Sequence, residues 1–206
     1  MPPPAPVCWL RALTSFLSFF INPLTTFFLA RGRRSLESLA VLSIIIGLCF
    51  VFRTAGIAMQ EVVIALVGDG LENQRSLRRF SLRVGILATA GLAAVVFTPL
   101  ATFWYGGVSG LSADLAAFAV LPGALLVFLP FTEAVLSYER GILVKAHRTA
   151  PIGAAVAVQL GVTTAVFALL VLVLRAIGAV SIGPALTAGY AAGLAVLLLT
   201  RPRQAA

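Results

Sequence analysis

The sequence predicts an all-α integral membrane protein: a bundle of six transmembrane helices forming one domain, residues 1–206. Three observations carry that prediction. Hydrophobic residues fill 60% of the 206 positions and charged residues 11%, with a mean hydropathy of +1.05, outside the range of soluble globular domains. The apolar residues gather in runs of about 20 or more, the length that crosses a hydrocarbon core about 30 Å thick. In lipid only helices and closed barrels satisfy their backbone polar groups, and runs of this length are read as helices. Finally, the basic residues collect in the short segments between the runs, where cytoplasmic loops carry them, so topology accounts for the net charge of +8 and nucleic acid is not an expected partner.

Taken in order, the runs fall at about 9–30, 36–67, 83–105, 113–138, 150–174 and 183–200. The first follows "MPPPAPVCW", which lacks the basic start of a secretory signal, and it contains Asn22 and Pro23; it reads as a retained helix. The fourth is interrupted by Pro122 and Pro130, and the sixth opens on "GPALTAG". Proline removes a backbone donor and bends a helix, so Pro23, Pro122 and Pro130 are the expected kinks. Ala185, Gly189 and Gly193 recur every four residues along the sixth run, a spacing that lets helix backbones approach closely. Leu71, Leu77 and Phe80, set among arginines in "DGLENQRSLRRFSLRVG", suit either a positive-inside loop or a short amphipathic stretch on the membrane surface. Cys8 and Cys49 show no sign of pairing.

Charge sets the expected orientation. With the amino terminus inside, Arg11, Arg75, Arg78, Arg79, Arg83, Arg140, Lys145, Arg148, Arg201 and Arg203 fall on the cytoplasmic face, against Arg31, Arg33, Arg34 and Arg175 opposite. The bias places both termini in the cytoplasm. The turn "ARGRRS" runs against it. Arginine in preference to lysine, together with abundant alanine, points to a GC-rich bacterial genome and hence to a bacterial cytoplasmic membrane.

The informative residues are those the membrane should exclude. A charge at the centre of a membrane helix costs roughly 2.5–3.5 kcal/mol on insertion scales, so Arg53, near the middle of the second run, needs a partner or a wet cavity. At about 100° per residue, Gly56, Gln60 and Glu61 lie on the same broad side as Arg53. Glu133, three residues after Pro130, falls at a depth similar to Glu61, and Asn22 and Gln159 add polar groups in the first and fifth runs. Two readings follow. The charges form buried structural pairs, or they line a cavity for a substrate, with Arg53, Gln60, Asn22 and Gln159 on its wall and Glu61 and Glu133 as coupling carboxylates. Guanidinium is permanently charged and suits an anionic group such as phosphate, whereas a desolvated carboxyl can exchange a proton or hold a monovalent cation. His147 reads as a solvated loop residue. There is no His/Cys cluster of metal spacing, no Gly-rich phosphate loop and no nucleophile with a base, so neither an enzyme, a metal nor an organic cofactor is expected.

The order of these features has a likeness among known transporters. A first helix with a central proline ("FFINPLTTFFLAR"), a second running into a basic linker ("ALVGDGLENQRSLRRF"), and a proline-broken fourth followed by "ERGILVKAHRTAP" resemble one six-helix lobe of the multidrug, oligosaccharide and polysaccharide exporter and flippase superfamily, which includes the MATE-type transporters. The nearest likeness is to the carboxy-terminal lobe of the progressive ankylosis protein family, associated with export of pyrophosphate, ATP and similar anions. The resemblance implies an alternating-access exporter of an anionic, amphiphilic or lipid-linked substrate, with a second six-helix lobe, from the same or another chain, as partner in the bilayer. Two departures stand out. Asn22 occupies the place of a basic residue in the ankylosis-type pattern, and the first helix lacks the acid found in MATE-type lobes. The alternative function is a non-transporting membrane protein that anchors or assembles a partner.

Overall fold

A computed structural model describes residues 20–68 and 72–200, and their regular structure is helical, apart from one isolated bridge between Arg33 and Ile177. Helix α1 (Ile21–Arg31) is followed by α2 (Ser35–Leu66), α3 (Gln74–Val96), α4 (Ala113–Leu125), α5 (Leu129–Lys145), α6 (Ala150–Phe167) and α7 (Gly178–Leu199). A short helical turn at Leu100–Thr102 and a π-helical turn at Phe103–Val108 join α3 to α4, and a second π-helical turn, Ala168–Val173, prolongs α6. Five segments are long and apolar enough to cross a membrane: α2, α3, α4 with α5, α6 with its π-helical turn, and α7. This is the fold of an all-α membrane protein. Of the first expected run, 9–30, residues 9–19 lie outside the described residues; Phe20 and α1 are described.

Three boundaries differ from the sequence expectation, each for a local reason. Helix α3 starts at Gln74 rather than 83, because arginine is a good helix former and the exposed side chains of Arg75, Arg78 and Arg79 need not enter the apolar layer. The stretch around Leu77 and Phe80 is therefore the first turns of α3 itself, with Leu77 buried and Phe80 exposed; Leu71 lies outside the described residues. At its other end α3 stops before Pro99. Helix α7 begins at Gly178 and accommodates Pro184 in its second turn.

The fourth run is two helices. Pro130 has no N–H to offer the Leu126 carbonyl, which instead accepts from the Leu129 N–H at 2.9 Å; tight bonds from Leu126 to Gly123 and from Val127 to Ala124 complete the break. Pro130 thus stands in the first turn of a new helix, where its missing donor costs little, rather than at a kink within one. Pro122 is buried inside α4. Pro23 is exposed in the first described turn of α1, and the side chain of Asn22 lies outside the described residues.

Helix α5 is the axis of the bundle, packed against α2, α3 and α7. Small residues set the register. A Cβ on Gly56 would lie 3.0 Å from the Ala134 nitrogen, and one on Gly141 would lie 2.8 Å from Val63 Cβ, so α2 and α5 run in parallel at close approach. Across α3 the order reverses: the Tyr138 hydroxyl donates to the Gln74 carbonyl and Ser81 to the Ala134 carbonyl, at 3.1 and 2.8 Å. Helices α6 and α7 also run antiparallel, with Gly189 against Thr163 and Gln159, and Gly193 against Ala155 and Gln159. The four-residue spacing read from the sequence is thus a helix-packing seam.

The apolar interior is divided into separate clusters. One gathers Val41, Ile45, Leu48, Leu129, Phe167 and Ile182; two others form round Met59, Val63 and Tyr138, and round Leu136, Leu143 and Leu197. Every one of α2, α5, α6 and α7 contributes residues to the first cluster and again to one of the others, and between them each carries polar or glycine positions.

Replacing Gly189 by valine should lower the unfolding temperature in detergent, corresponding to about 1–3 kcal/mol for overpacking, because the new Cβ meets Thr163 and the Gln159 carbonyl. Gly161→Ala, where nothing lies within 4 Å, is the control and should leave it unchanged or raise it.

Candidate functional site

The layer between the apolar clusters is built by four helices. Arg53 lies 18 residues after Ser35 and 13 before Leu66, so it sits near the middle of α2, about 20 Å or more from either end at 1.5 Å per residue. The buried stripe of α2 runs through Val41, Ile45, Leu48, Gly56, Met59 and Val63, and Arg53 projects from its edge. From there its Nη2 donates both to Glu133 Oε2 on α5 and to the Tyr190 hydroxyl on α7. The guanidinium carbon also lies 5.1 Å from the centroid of the Tyr190 ring, a cation–π arrangement.

Glu133 is 5% exposed and stands one turn after the break between α4 and α5. Two turns further along the same face of α5, past the buried Ser137, comes Arg140, half-buried. Its Nη2 makes a long hydrogen bond of 3.5 Å to Oε1 of Gln159, which is buried on α6, and it lies within electrostatic reach of Glu133, Tyr190 and Arg53. Among the described residues the layer therefore holds two guanidinium groups and one carboxylate. Arg53 Nε, Arg140 Nε and Thr163 Oγ1 are buried without a hydrogen-bond partner among the described residues. Glu139, although buried, is turned away from this face and lines a small cleft with Arg78 and Leu198.

A cavity of about 430 Å³ opens on one side of the layer. Its walls are Thr25 and Thr26 of α1, Ser43, Ile46 and Phe50 of α2 and Leu186 of α7, and Arg53 and Tyr190 close it off from Glu133. A volume of this size holds a small organic anion. Among the described residues the walls offer hydroxyls and apolar surface, and the charge comes from Arg53.

Of the residues singled out from the sequence, Arg53 and Glu133 meet, and Gln159 joins the same layer through Arg140. Gln60 is half-buried on α2, its backbone carbonyl against Gly141 of α5. Glu61 is not brought to Glu133. It is exposed, about 100° further round α2 than Gln60, on the side facing away from α5. His147 is an exposed turn residue with φ +56°, and Cys49 is a buried free thiol; Cys8 lies outside the described residues. Among the described residues no group of histidine, cysteine and carboxylate side chains is placed to hold a metal.

No protein-family model, curated protein or solved structure compared with the chain matches it. The superfamily likeness rests on the sequence features alone.

Sequence reasoning missed two members of the site. Arg140 counted as a loop cation because it follows the apolar part of its run, yet Glu133, Ser137 and Arg140 are spaced i, i+4, i+7, one polar face of a continuing helix. Tyr190 interrupts a small-residue seam, where an aromatic hydroxyl needs a partner once buried. Both signals were in the chain.

Arg53→Leu alone should destabilise the protein by about 3–5 kcal/mol, since it leaves the Glu133 carboxylate buried without its cation. The double variant Arg53→Leu/Glu133→Gln should recover a large part of that loss, and a double-mutant cycle of unfolding midpoints in detergent measures the coupling. Additive effects would mean the two side chains do not interact.

Proposed function

We propose that the chain is one lobe of an alternating-access membrane transporter of the exporter and flippase type, moving an anionic or amphiphilic substrate, and that it works with a second lobe. The observation that carries the reading is the charged layer near the middle of the long helices, where Arg53 pairs with Glu133, a second guanidinium, Arg140, lies within electrostatic reach, and Arg53 lines a cavity of about 430 Å³. Buried charge of this kind is expensive in a bilayer and marks substrate and ion pathways. The excess of positive charge selects an anion.

The break between α4 and α5 supports the same reading. Discontinuous helices are found in transporters near the binding site, where irregular backbone is tolerated because it lines a cavity or is covered by protein. In this chain the break precedes Glu133 by one turn. Arg53 then has a double role: in the absence of substrate it is held by Glu133 and Tyr190, and an incoming anion competes with the carboxylate for its donors. Glu133, once released from the guanidinium, is then the carboxylate available to couple anion movement to a proton or a monovalent cation. The second lobe supplies the wall that one lobe lacks, and it covers the outward side of α2 on which Glu61 stands.

A specific observation favours the rival reading, a non-transporting membrane protein that anchors a partner. Arg53 already has both an anion and a hydroxyl, so the pair can be complete as a structural clamp.

Flux of an organic phosphate or pyrophosphate into proteoliposomes separates the two. In a transporter, Arg53→Ala should reduce flux about tenfold or more, as loss of a charge-assisted contact does, while Glu133→Gln should abolish its dependence on a proton gradient. Absence of solute-dependent flux in the wild-type chain, alone and with candidate second lobes, would leave the anchoring role.

A further inference from the structure

The second cluster of cations lies far from the charged layer, at the end of the bundle where α1 turns into α2 and α6 into α7. Charge bias assigns that end to the non-cytoplasmic face, where four arginines are unexpected. The structure holds the two turns together. The Arg33 N–H donates to the Ala176 carbonyl at 3.3 Å and the Gly178 N–H to the Arg33 carbonyl at 3.2 Å. Gly32 lies so close to Gly178 that a Cβ would stand 2.8 Å from its Cα. Arg34 and Arg175 both adopt the left-handed backbone, at φ +54° and +47°, conformations that a residue with a Cβ rarely takes. The turns are built, not loose.

Their docking brings Arg31, Arg33 and Arg175 round a cleft of about 260 Å³ floored by Val171 and Leu172. Arg31 lies over the Phe27 ring at 4.2 Å, which orients it. None of the three guanidinium groups has an ion pair or hydrogen bond among the described residues, and no carboxylate lines the cleft. Nearby Glu37 pairs instead with Arg34, at 3.4 Å. Nor are the arginines needed as helix caps. The carbonyls of Phe28 and Leu29 accept from the Gly32 N–H, and those of Leu169 and Leu170 from Leu174 and Ala176. Directly beside the cleft, Leu172, Val173 and Leu174 are 52%, 69% and 62% exposed, an apolar surface running into the membrane below the cations.

Three unpaired guanidinium groups above an apolar wall match one kind of ligand, a phosphate that carries acyl chains. We infer that this cleft binds the headgroup of an anionic phospholipid, its phosphate held by Arg31, Arg33 and Arg175 and its chains lying along Leu172, Val173 and Leu174. A free phosphate would satisfy the arginines and leave the apolar wall uncovered. The inference does not depend on transport; it needs only the membrane.

The test uses the full chain in a mild detergent, with phosphatidylglycerol, phosphatidylcholine or inorganic phosphate added, reading the thermal midpoint and the lipids retained in native mass spectrometry. Phosphatidylglycerol should raise the midpoint and remain bound, and Arg31→Gln/Arg33→Gln/Arg175→Gln should weaken its binding by about tenfold or more. The variant Arg75→Gln/Arg78→Gln/Arg79→Gln, altered at the opposite end, should bind as the wild type does. If the triple cleft variant does not fold, Arg33→Gln is read instead, since the docking bonds of residue 33 are made by its backbone; it should weaken binding in the same direction. Equal retention of phosphatidylcholine, an equal loss in the variant at the opposite end, or inorganic phosphate protecting as well as the lipid would each overturn the inference.

Discussion

The contact between Arg53 and Glu133 constrains the rest of the bundle. A guanidinium near the middle of a 32-residue apolar helix needs a partner or water, and here another segment delivers a carboxylate at the same height. For α5 to do so it must run parallel to α2 and close to it, and the glycines at 56 and 141 allow that approach by leaving no side chain between the backbones. Tyr190 adds a third condition. It places α7 beside the pair, and the seam of Gly189 and Gly193 then seats α6 against α7. Helix register throughout the bundle follows from one polar requirement and a few missing side chains.

Such a pair is not itself a strong source of stability. Desolvating two ions offsets most of their attraction, and a well-packed apolar pair often serves as well or better. What it contributes is specificity of arrangement. In a bilayer, apolar helices gain little from choosing one apolar neighbour over another, because lipid tails solvate them equally well, so steric fit and polar contacts decide the packing. A helix pair that slid by one turn would keep its apolar contacts and strand the charges. The cost of that slip is what the pair supplies.

How much of this the sequence displays depends on the kind of signal. The long apolar runs at α2, α6 and α7 are plain in composition, because burial in lipid demands it of every exposed position. Arg53 and Glu133 are legible as exceptions to that demand. Arg140 is not, since hydropathy ends the fourth run at 138 while the helix itself continues to Lys145, and an arginine past an apolar run has the same appearance whether it points inward or into solvent. Glu61 illustrates the converse. It neighbours Gln60 in sequence and shares a broad arc with Arg53, but a step of about 100° carries it from the edge of the packed face to the outside, and only the packing partner of α2 defines which edge is which. The start of α3 was obscured in the same way: four arginines lower the hydropathy of turns that are nonetheless helical.

The break between α4 and α5 links the fold to the chemistry. Two prolines eight residues apart, Pro122 and Pro130, make an unbroken helix costly, and the chain resolves the cost with tight turns at residues 126–128 rather than a smooth bend. There the i→i−4 ladder gives way to tighter bonds from Leu126, Val127 and Leu129, so this short segment rather than a continuous helix sets the direction of α5 relative to α4. Glu133 stands just beyond the break, while Arg53 belongs to an unbroken helix. Any change in the angle at the break therefore alters the distance between carboxylate and guanidinium, and any anion that draws Arg53 from Glu133 acts in return on that angle. The break at Pro130 thus gives the charged pair a mechanical counterpart of the kind that the proposed transporter, in which occupancy is read by the surrounding helices, would need.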